Sequence, residues 1–373
     1  MNVVSLSIGQ QDFYRKMFIK VNDDIVDVLL QSHEGVDRMR AVDVIVQLLT
    51  SSRMNYHKIY MKCSLTKEKE SELKAAIDEN SWREYLKLKR ERLDVEGLIS
   101  LLEIYVVLTS KRECSRVGKV LYVNPFKVPE FKLSEKSFLA TENLRDSVMY
   151  KYIGYYYKRS CSLANMDISF EKWNGGGSDF GNSLKTVRIL NSSFVLVVVD
   201  SDKHCPKDKV GRTAKGIKFV GHGRFNADYH ILENVMEVEN LIPYQIIQRK
   251  NTDIIKLKGY DLSYFDFKKG LTHSILYDKD ARDFWKQNFA GLGLDWKKIE
   301  KLACEKDYSG YCACFRNEKP LVVGFGSSLL DSVLQEDGWD FVKEGDLTKA
   351  QQEEWRIVGK KIFSWTCCSQ KKL

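Results

Sequence analysis

The chain has 373 residues, of which 43% are hydrophobic and 29% charged, with a formal net charge of +8. That length suits two or three domains, and that hydrophobic share can bury real cores, which excludes a disordered or fibrous chain. No apolar run reaches the roughly 20 residues of a membrane helix, and the first residues lack a basic-then-apolar signal pattern, so no membrane association is expected. The nine cysteines are an odd number without a secretion signal, which points to free thiols in a reducing, cytoplasmic setting.

In chain order, Asp23–Leu30 and Met39–Leu49 carry helical apolar spacing, and Asn55–Cys63 suits a short strand. Residues 66–92 mix charges densely and read as a solvated helix starting at Thr66. Val95–Thr109 is strongly apolar, and residues 110–133, with Pro125 and Pro129, read as a connection. A boundary near 130 therefore closes a mixed α/β N-terminal domain over 1–130. The run Ser137–Ala140 then leads through Glu142 and Asp146 into a segment with helical spacing. Glu142 is expected where the strand turns into that helix, with Asp146 four residues on, on the same helical face. Met166–Trp173 alternates like one strand, Gly175-Gly176-Gly177 forms a turn, and Ser178–Arg188 suits a helix.

Val195–Val199 is a run of five apolar residues, four of them valine, ending in Asp200-Ser201-Asp202. Such a run suits a parallel strand buried on both faces, and α/β sheets place their chemistry outside the carboxyl ends of such strands. Two carboxylates with one spacer can share a divalent cation, and oxygen ligands without thiolates favour Mg²⁺ or Mn²⁺. The bland alternative is that the pair caps a turn. Strands alternating with helices imply a parallel sheet with right-handed crossovers, so Glu142 and Asp200/Asp202 are expected at one sheet edge. Residues 203–228 read as a basic loop suited to a nucleic-acid backbone, and His230–Glu233 as a short strand. Glu239 is the favoured further acid, with Glu237 read as a solvent-facing helix residue. Lys268 and Lys269 precede Gly270, and residues 276–373 look mainly helical.

A Glu after the first strand and a DxD after the third resemble the TOPRIM domain shared by topoisomerases, primases and the overcoming-lysogenization-defect (OLD) family of nucleases. The glycine run and the later MEVENLIP segment resemble the OLD-type branch of bacterial anti-phage defence nucleases. The resemblance covers roughly residues 134–275. It implies a TOPRIM-like parallel sheet flanked by helices and a metal-dependent endonuclease using Mg²⁺ or Mn²⁺. Its implied metal ligands are Glu142, Asp146, Asp200, Asp202 and Glu239, with Lys269 or its neighbour Lys268 as the catalytic lysine. Asn143 replaces a Gly common in that family, and no GxxxxGK[ST] motif is present, so a separately encoded sensor or ATPase is the implied partner. Homo-oligomerisation is compatible with it.

Two metals can serve both ends of an in-line phosphoryl displacement, and a lysine can stabilise the charge that develops. The flanks 1–130 and 276–373 are expected to regulate or assemble this centre. The rival readings are a DxD sugar-nucleotide transferase, which predicts no upstream Glu, and a non-catalytic interaction subunit keeping the scaffold. Arg224 and His230 match the spacing of some metal-independent ribonucleases only superficially. Cys304, Cys312, Cys314, Cys367 and Cys368 lack the paired spacing of a zinc site and read as buried thiols.

Overall fold

The computed structural model describes residues 17–31, 36–61, 65–128, 133, 137–176, 179–186, 189–221, 224–304 and 320–369. It is an α/β protein with two separate parallel-rich sheets, each flanked by helices.

The first sheet is built from β1 (Phe18–Val21), α1 (Asp23–Gln31), α2 (Val36–Arg53), β2 (Lys58–Met61), α3 (Lys67–Ala76), α4 (Glu79–Glu96), β3 (Tyr105–Leu108), β4 (Ser115–Val117) and β5 (Val120–Val123). Its strand order is β2-β1-β3-β5-β4, parallel except for β4. The charged segment after Thr66 forms two helices rather than one. Thr66 caps α3, Ile77 ends it in extended backbone, and the Asp78 carboxylate accepts the Ser81 amide at the next helix start. Residues 110–133 are not merely a connection. Gly118, at φ +57°, turns β4 into β5, and both strands join the sheet. The strands are too short to announce themselves by alternation.

The second sheet lies within the run β6 (Phe138–Thr141), α5 (Asp146–Ser160), β7 (Met166–Ile168), β8 (Glu171–Asn174), α6 (Phe180–Thr186), α7 (Ile189–Ser192), β9 (Val195–Val199), α8 (Arg212–Gly216), β10 (Ala227–Ile231) and α9 (Tyr244–Lys250). Its order is β10-β9-β6-β8, with every pairing parallel. The valine-rich β9 therefore runs inside the sheet, and all five of its residues are buried, as a two-faced parallel strand requires. Met166–Trp173 splits into β7 and β8, because β7 leaves to pair with a C-terminal strand. The basic stretch after Asp202 contains α8, and the following strand begins at Ala227, before His230, so that it can pair along all of β9. Part of the glycine run and the end of the helix expected over Ser178–Arg188 lie outside the described residues.

The C-terminal part adds β11 (Gly270–Leu271), α10 (Lys279–Asn288), α11 (Trp296–Cys304), β12 (Val322–Val323), α12 (Leu329–Leu334), α13 (Lys349–Thr366) and β13 (Cys367–Ser369). It is mainly helical, with two small antiparallel pairs, β11 with β12 and β13 with β7. Helix α13 packs directly on α5. A Cβ on Gly359 would lie 2.8 Å from the Tyr157 Cβ and 3.0 Å from the Ile153 carbonyl, so only glycine permits this approach. One hydrophobic core runs through Ile19 and Ile45, Ile153 and Leu196, and Trp355 and Phe363. The C-terminal segment thus completes the core of the central sheet. Cys114, Cys161, Cys205 and Cys367 are free thiols, whereas Cys312 and Cys314 lie outside the described residues.

Candidate metal centre

Strands β6 and β9 are neighbours and parallel, with Thr141 paired to Val198, so the residues that follow them emerge side by side. Glu142 follows β6 in a bend and Asp200 follows β9. The Asp200 amide donates to Glu142 Oε1 at 3.3 Å. Helix α5 begins at Asp146, so Glu142 stands before the helix and not on its face. Asp146 instead reaches back and accepts the Asn143 amide at 2.9 Å, which folds the bend onto the helix start.

The DSD turn is held by its middle residue. Ser201 is fully buried, and its hydroxyl donates to the Val235 carbonyl at 2.7 Å. The amides of Ser201 and Asp202 both donate to the Met236 carbonyl at 3.0 Å. This clamp carries the next acidic segment to the first one, and the Val238 amide donates to Asp200 Oδ1 at 3.0 Å. Asp202 adopts a left-handed conformation, φ +55°, and faces solvent. A Cβ on Gly211 would lie 2.1 Å from Asp202 Oδ2, so the glycine leaves room for that carboxylate.

Glu237 and Glu239 are both buried, at 5% and 3% exposure. This overturns the solvent-facing reading of Glu237. They belong to a single 3-10 turn, Val238–Leu241 with Glu237 as its cap, rather than to a longer helix with an outer face. Asn240 anchors the turn by donating to the carbonyls of Leu262 and Phe265. That anchor brings in the lysine pair. Lys268 Nζ lies 2.9 Å from Glu237 Oε2 and 3.2 Å from Glu239 Oε1. Lys269 is exposed, and its amide donates to Asp266 at 2.7 Å. It acts on Asp202 only through its field.

Burial and mutual repulsion push Glu142, Asp146, Asp200 and Glu237 upward. Burial, followed by the charge of Asp202, raises Glu142 to about 7. Asp146 is raised to about 7 by burial and then Glu239, and Glu237 to about 8 by burial and then Glu239. Asp200 goes well above the ordinary carboxylate range, through burial and then Asp146 and Glu142. For Lys268, burial works against the charge, but Glu237 and Glu239 outweigh it and hold the ammonium. Tyr150, fully buried beneath Asp146 on the next turn of α5, feels the field of Asp200, Asp146, Glu142 and Glu239. Its position i+4 from Asp146 was a readable signal that sequence reasoning missed.

The acids are gathered but not closed around a point. Among the described residues, no three His, Cys, Asp or Glu side chains stand in an arrangement that could hold a metal ion. Yet Glu239 Oε2 is buried with no hydrogen-bond partner, and so is His204 Nδ1 in the loop after Asp202. A buried carboxylate oxygen without a donor, among acids held above their ordinary range, is a donor set short of positive charge. Hard oxygens of this kind fit Mg²⁺ or Mn²⁺. Comparison with family models, curated proteins and solved structures finds no match to this chain.

Proposed function

We propose that this chain is a metal-dependent nuclease with a TOPRIM-like catalytic domain that cleaves phosphodiester bonds in DNA or RNA. The observation that carries the reading is the meeting of Glu142 and Asp200 at the carboxyl ends of two adjacent parallel strands, with Asp146, Glu237 and Glu239 packed behind them. Glu142, Asp200 and Asp202 would hold a first divalent ion, with Asp146 and Glu239 available for a second. Such ions supply charge to activate water and to neutralise the leaving oxygen. The chain's own residues orient the reaction. Ser201 fixes the turn, and Asp200 keeps its second oxygen free by giving only Oδ1 to the Val238 amide. Lys268 places a permanent positive charge where a phosphoryl group gains negative charge. The exposed cations Lys207, Lys209, Arg212 and Lys215 follow Asp202 in sequence and suit a polyanionic backbone.

The resemblance to anti-phage nucleases adds a cytoplasmic role as a defence effector acting with a separate sensor or ATPase. No described helix is long and apolar enough to cross a membrane.

One observation favours the rival reading of a non-catalytic subunit. Lys268 already neutralises Glu237 and Glu239, as a purely structural ion pair would. Incubation with plasmid DNA and with total tRNA, in Mg²⁺, in Mn²⁺ and in EDTA, separates the two. Cleavage that needs the divalent ion and vanishes in Asp200→Asn supports the nuclease. Intact substrates under every condition support the structural subunit.

A further inference from the structure

The first sheet has a crevice of its own. Its order puts β1 beside β3, yet the chain leaves β1 toward β2 and leaves β3 toward β4 and β5, on the other side. The two loops therefore part above adjacent parallel strands, which is where α/β sheets take ligands. A cavity of about 350 Å³ lies there, between the end of β1 with the start of α1 and the end of β3. That volume suits a small ligand.

The charged lining of this cavity is Asp23, Asp24 and Asp27 against Lys20 and Lys111. Asp27 is taken by Lys69, which reaches it from α3 at 2.7 Å. Two carboxylates and two ammoniums remain. A lining balanced in this way favours neither a bare anion nor a bare cation. Lys20 rests over the Tyr60 ring, 6.0 Å from its centroid. Among the described residues, neither Lys20 nor the exposed Lys111 forms an ion pair with a carboxylate. Charges of both signs thus share one small space without closing on each other.

Asp24 is the fixed point of the arrangement. It is 7% exposed, and its Oδ2 accepts from the Thr109 hydroxyl, the Ser110 amide and the Ser110 hydroxyl. Those bonds orient the carboxylate and leave Oδ1 buried with no hydrogen-bond partner. An oxygen in that state has lost water without gaining a donor in return. A ligand donor entering the cavity supplies one. The two lysines call for an anionic group in the same space. An ammonium and a carboxylate joined in one small molecule are the chemistry of an amino acid.

We propose that this cavity binds a free α-amino acid, with its ammonium against Asp24 Oδ1 and its carboxylate against Lys20 and Lys111. The claim does not rest on the nuclease reading. Calorimetric titration of the full chain in EDTA with each standard L-amino acid tests it without any cleavage. Ethylamine, acetate and inorganic phosphate form the comparison arms, since each carries only one sign of charge.

At least one amino acid should bind once per chain, about tenfold or more tighter than any of the three comparison compounds. Asp24→Asn is the sharpest variant. Its carbonyl oxygen keeps the Thr109 and Ser110 donors, so its amide nitrogen takes the place of Oδ1 and meets the ligand ammonium donor to donor. Lys111→Glu reverses an exposed charge at the other end of the ligand, and it carries the test if Asp24→Asn fails to fold. Each folded variant, checked by circular dichroism, should bind about tenfold or more weaker. Amide exchange over residues 20–27 and 108–111 should slow when the amino acid binds. Absence of amino-acid binding, or undiminished binding in either folded variant, overturns the site. Unchanged exchange over both segments with the amino acid bound moves the ligand elsewhere and overturns it too. Ethylamine, acetate or phosphate binding as tightly as the best amino acid overturns it in favour of a site for a single charge.

Discussion

The two parallel sheets of this chain both end in acids, and they treat them in opposite ways. Beyond β1, Asp24 gives one oxygen, Oδ2, to the Thr109 hydroxyl at 2.6 Å, the Ser110 amide at 2.8 Å and the Ser110 hydroxyl at 3.0 Å. Asp27 pairs with Lys69 at 2.7 Å. Beyond β6 and β9, Asp200 faces Glu142, Asp146, Glu239 and Glu237, whose fields add to its burial, and Lys268 is the nearby cation. In the first arrangement the protein's own donors crowd onto Asp24 Oδ2 and Lys69 pairs with Asp27, although Asp24 Oδ1, like Glu239 Oε2, is buried without a partner. The second stores repulsion that a cation from outside would relieve. An acid after a parallel strand is therefore not a site in itself; its neighbours decide.

The sharpest way to break this comparison is to neutralise one acid at each sheet. Asp200→Asn keeps an acceptor for the Val238 amide and removes the charge. Cleavage should fall by about 10³-fold or more while the melting temperature holds or rises. Asp24→Ala should leave cleavage within about threefold of wild type. It should lower stability by about 1–3 kcal/mol, because the Thr109 and Ser110 donors lose their acceptor. The reverse pattern, with activity tracking Asp24, would show that the chemistry sits at the first sheet.

The lysine pair gives the next largest effect. Lys268→Ala strips the cation from Glu237 and Glu239 and should cost about 3 kcal/mol in chemical denaturation at mildly alkaline pH. At acidic pH the cost shrinks, since Glu237, held at about 8 by burial and the neighbouring charge of Glu239, is then protonated. Lys269→Ala, at an exposed position, should change the cleavage rate by less than about tenfold. Equal rate losses in the two variants would place Lys269 in the chemistry as well.

Stability against pH distinguishes the two ends more gently. Carboxyls raised in the folded state contribute stability that is complete below their unfolded range and is lost as pH rises through the folded values. With Glu142 and Asp146 near 7 and Glu237 near 8, the protein in EDTA should be less stable at about pH 8.5 than at about pH 5.5, on the order of 2–3 kcal/mol. Asp200→Asn should flatten that slope. Mg²⁺ or Mn²⁺ should restore the loss, by about 2.7 kcal/mol at a hundredfold excess over the dissociation constant. A pH profile indifferent to divalent ions would leave the central acids as a structural cluster like those of the first sheet.

The run of apolar residues before Asp200 could mean little other than a strand buried on both faces, and that alone placed Asp200 and Asp202 at a sheet end. The short run before Glu142 and the helical spacing after it placed the second acid similarly. These readings rest on local periodicity, which one sequence displays. Whether the two strand ends adjoin depends on strand order, and the neighbour of β6 is set by crossovers over 50 residues away in sequence. The choice between Lys268 and Lys269 turns on one peptide unit, and the Asn240 anchor and the Asp266 turn make it. Glu237 looked solvent-facing because a polar residue beside an apolar start usually is. It is buried because Ser201, from a distant strand, holds Met236 and draws the turn inward. Strand β7 pairs with β13 across some 200 residues, a match no local pattern can encode. Periodicity travels with the chain, whereas burial and charge environment belong to neighbours that only packing brings together.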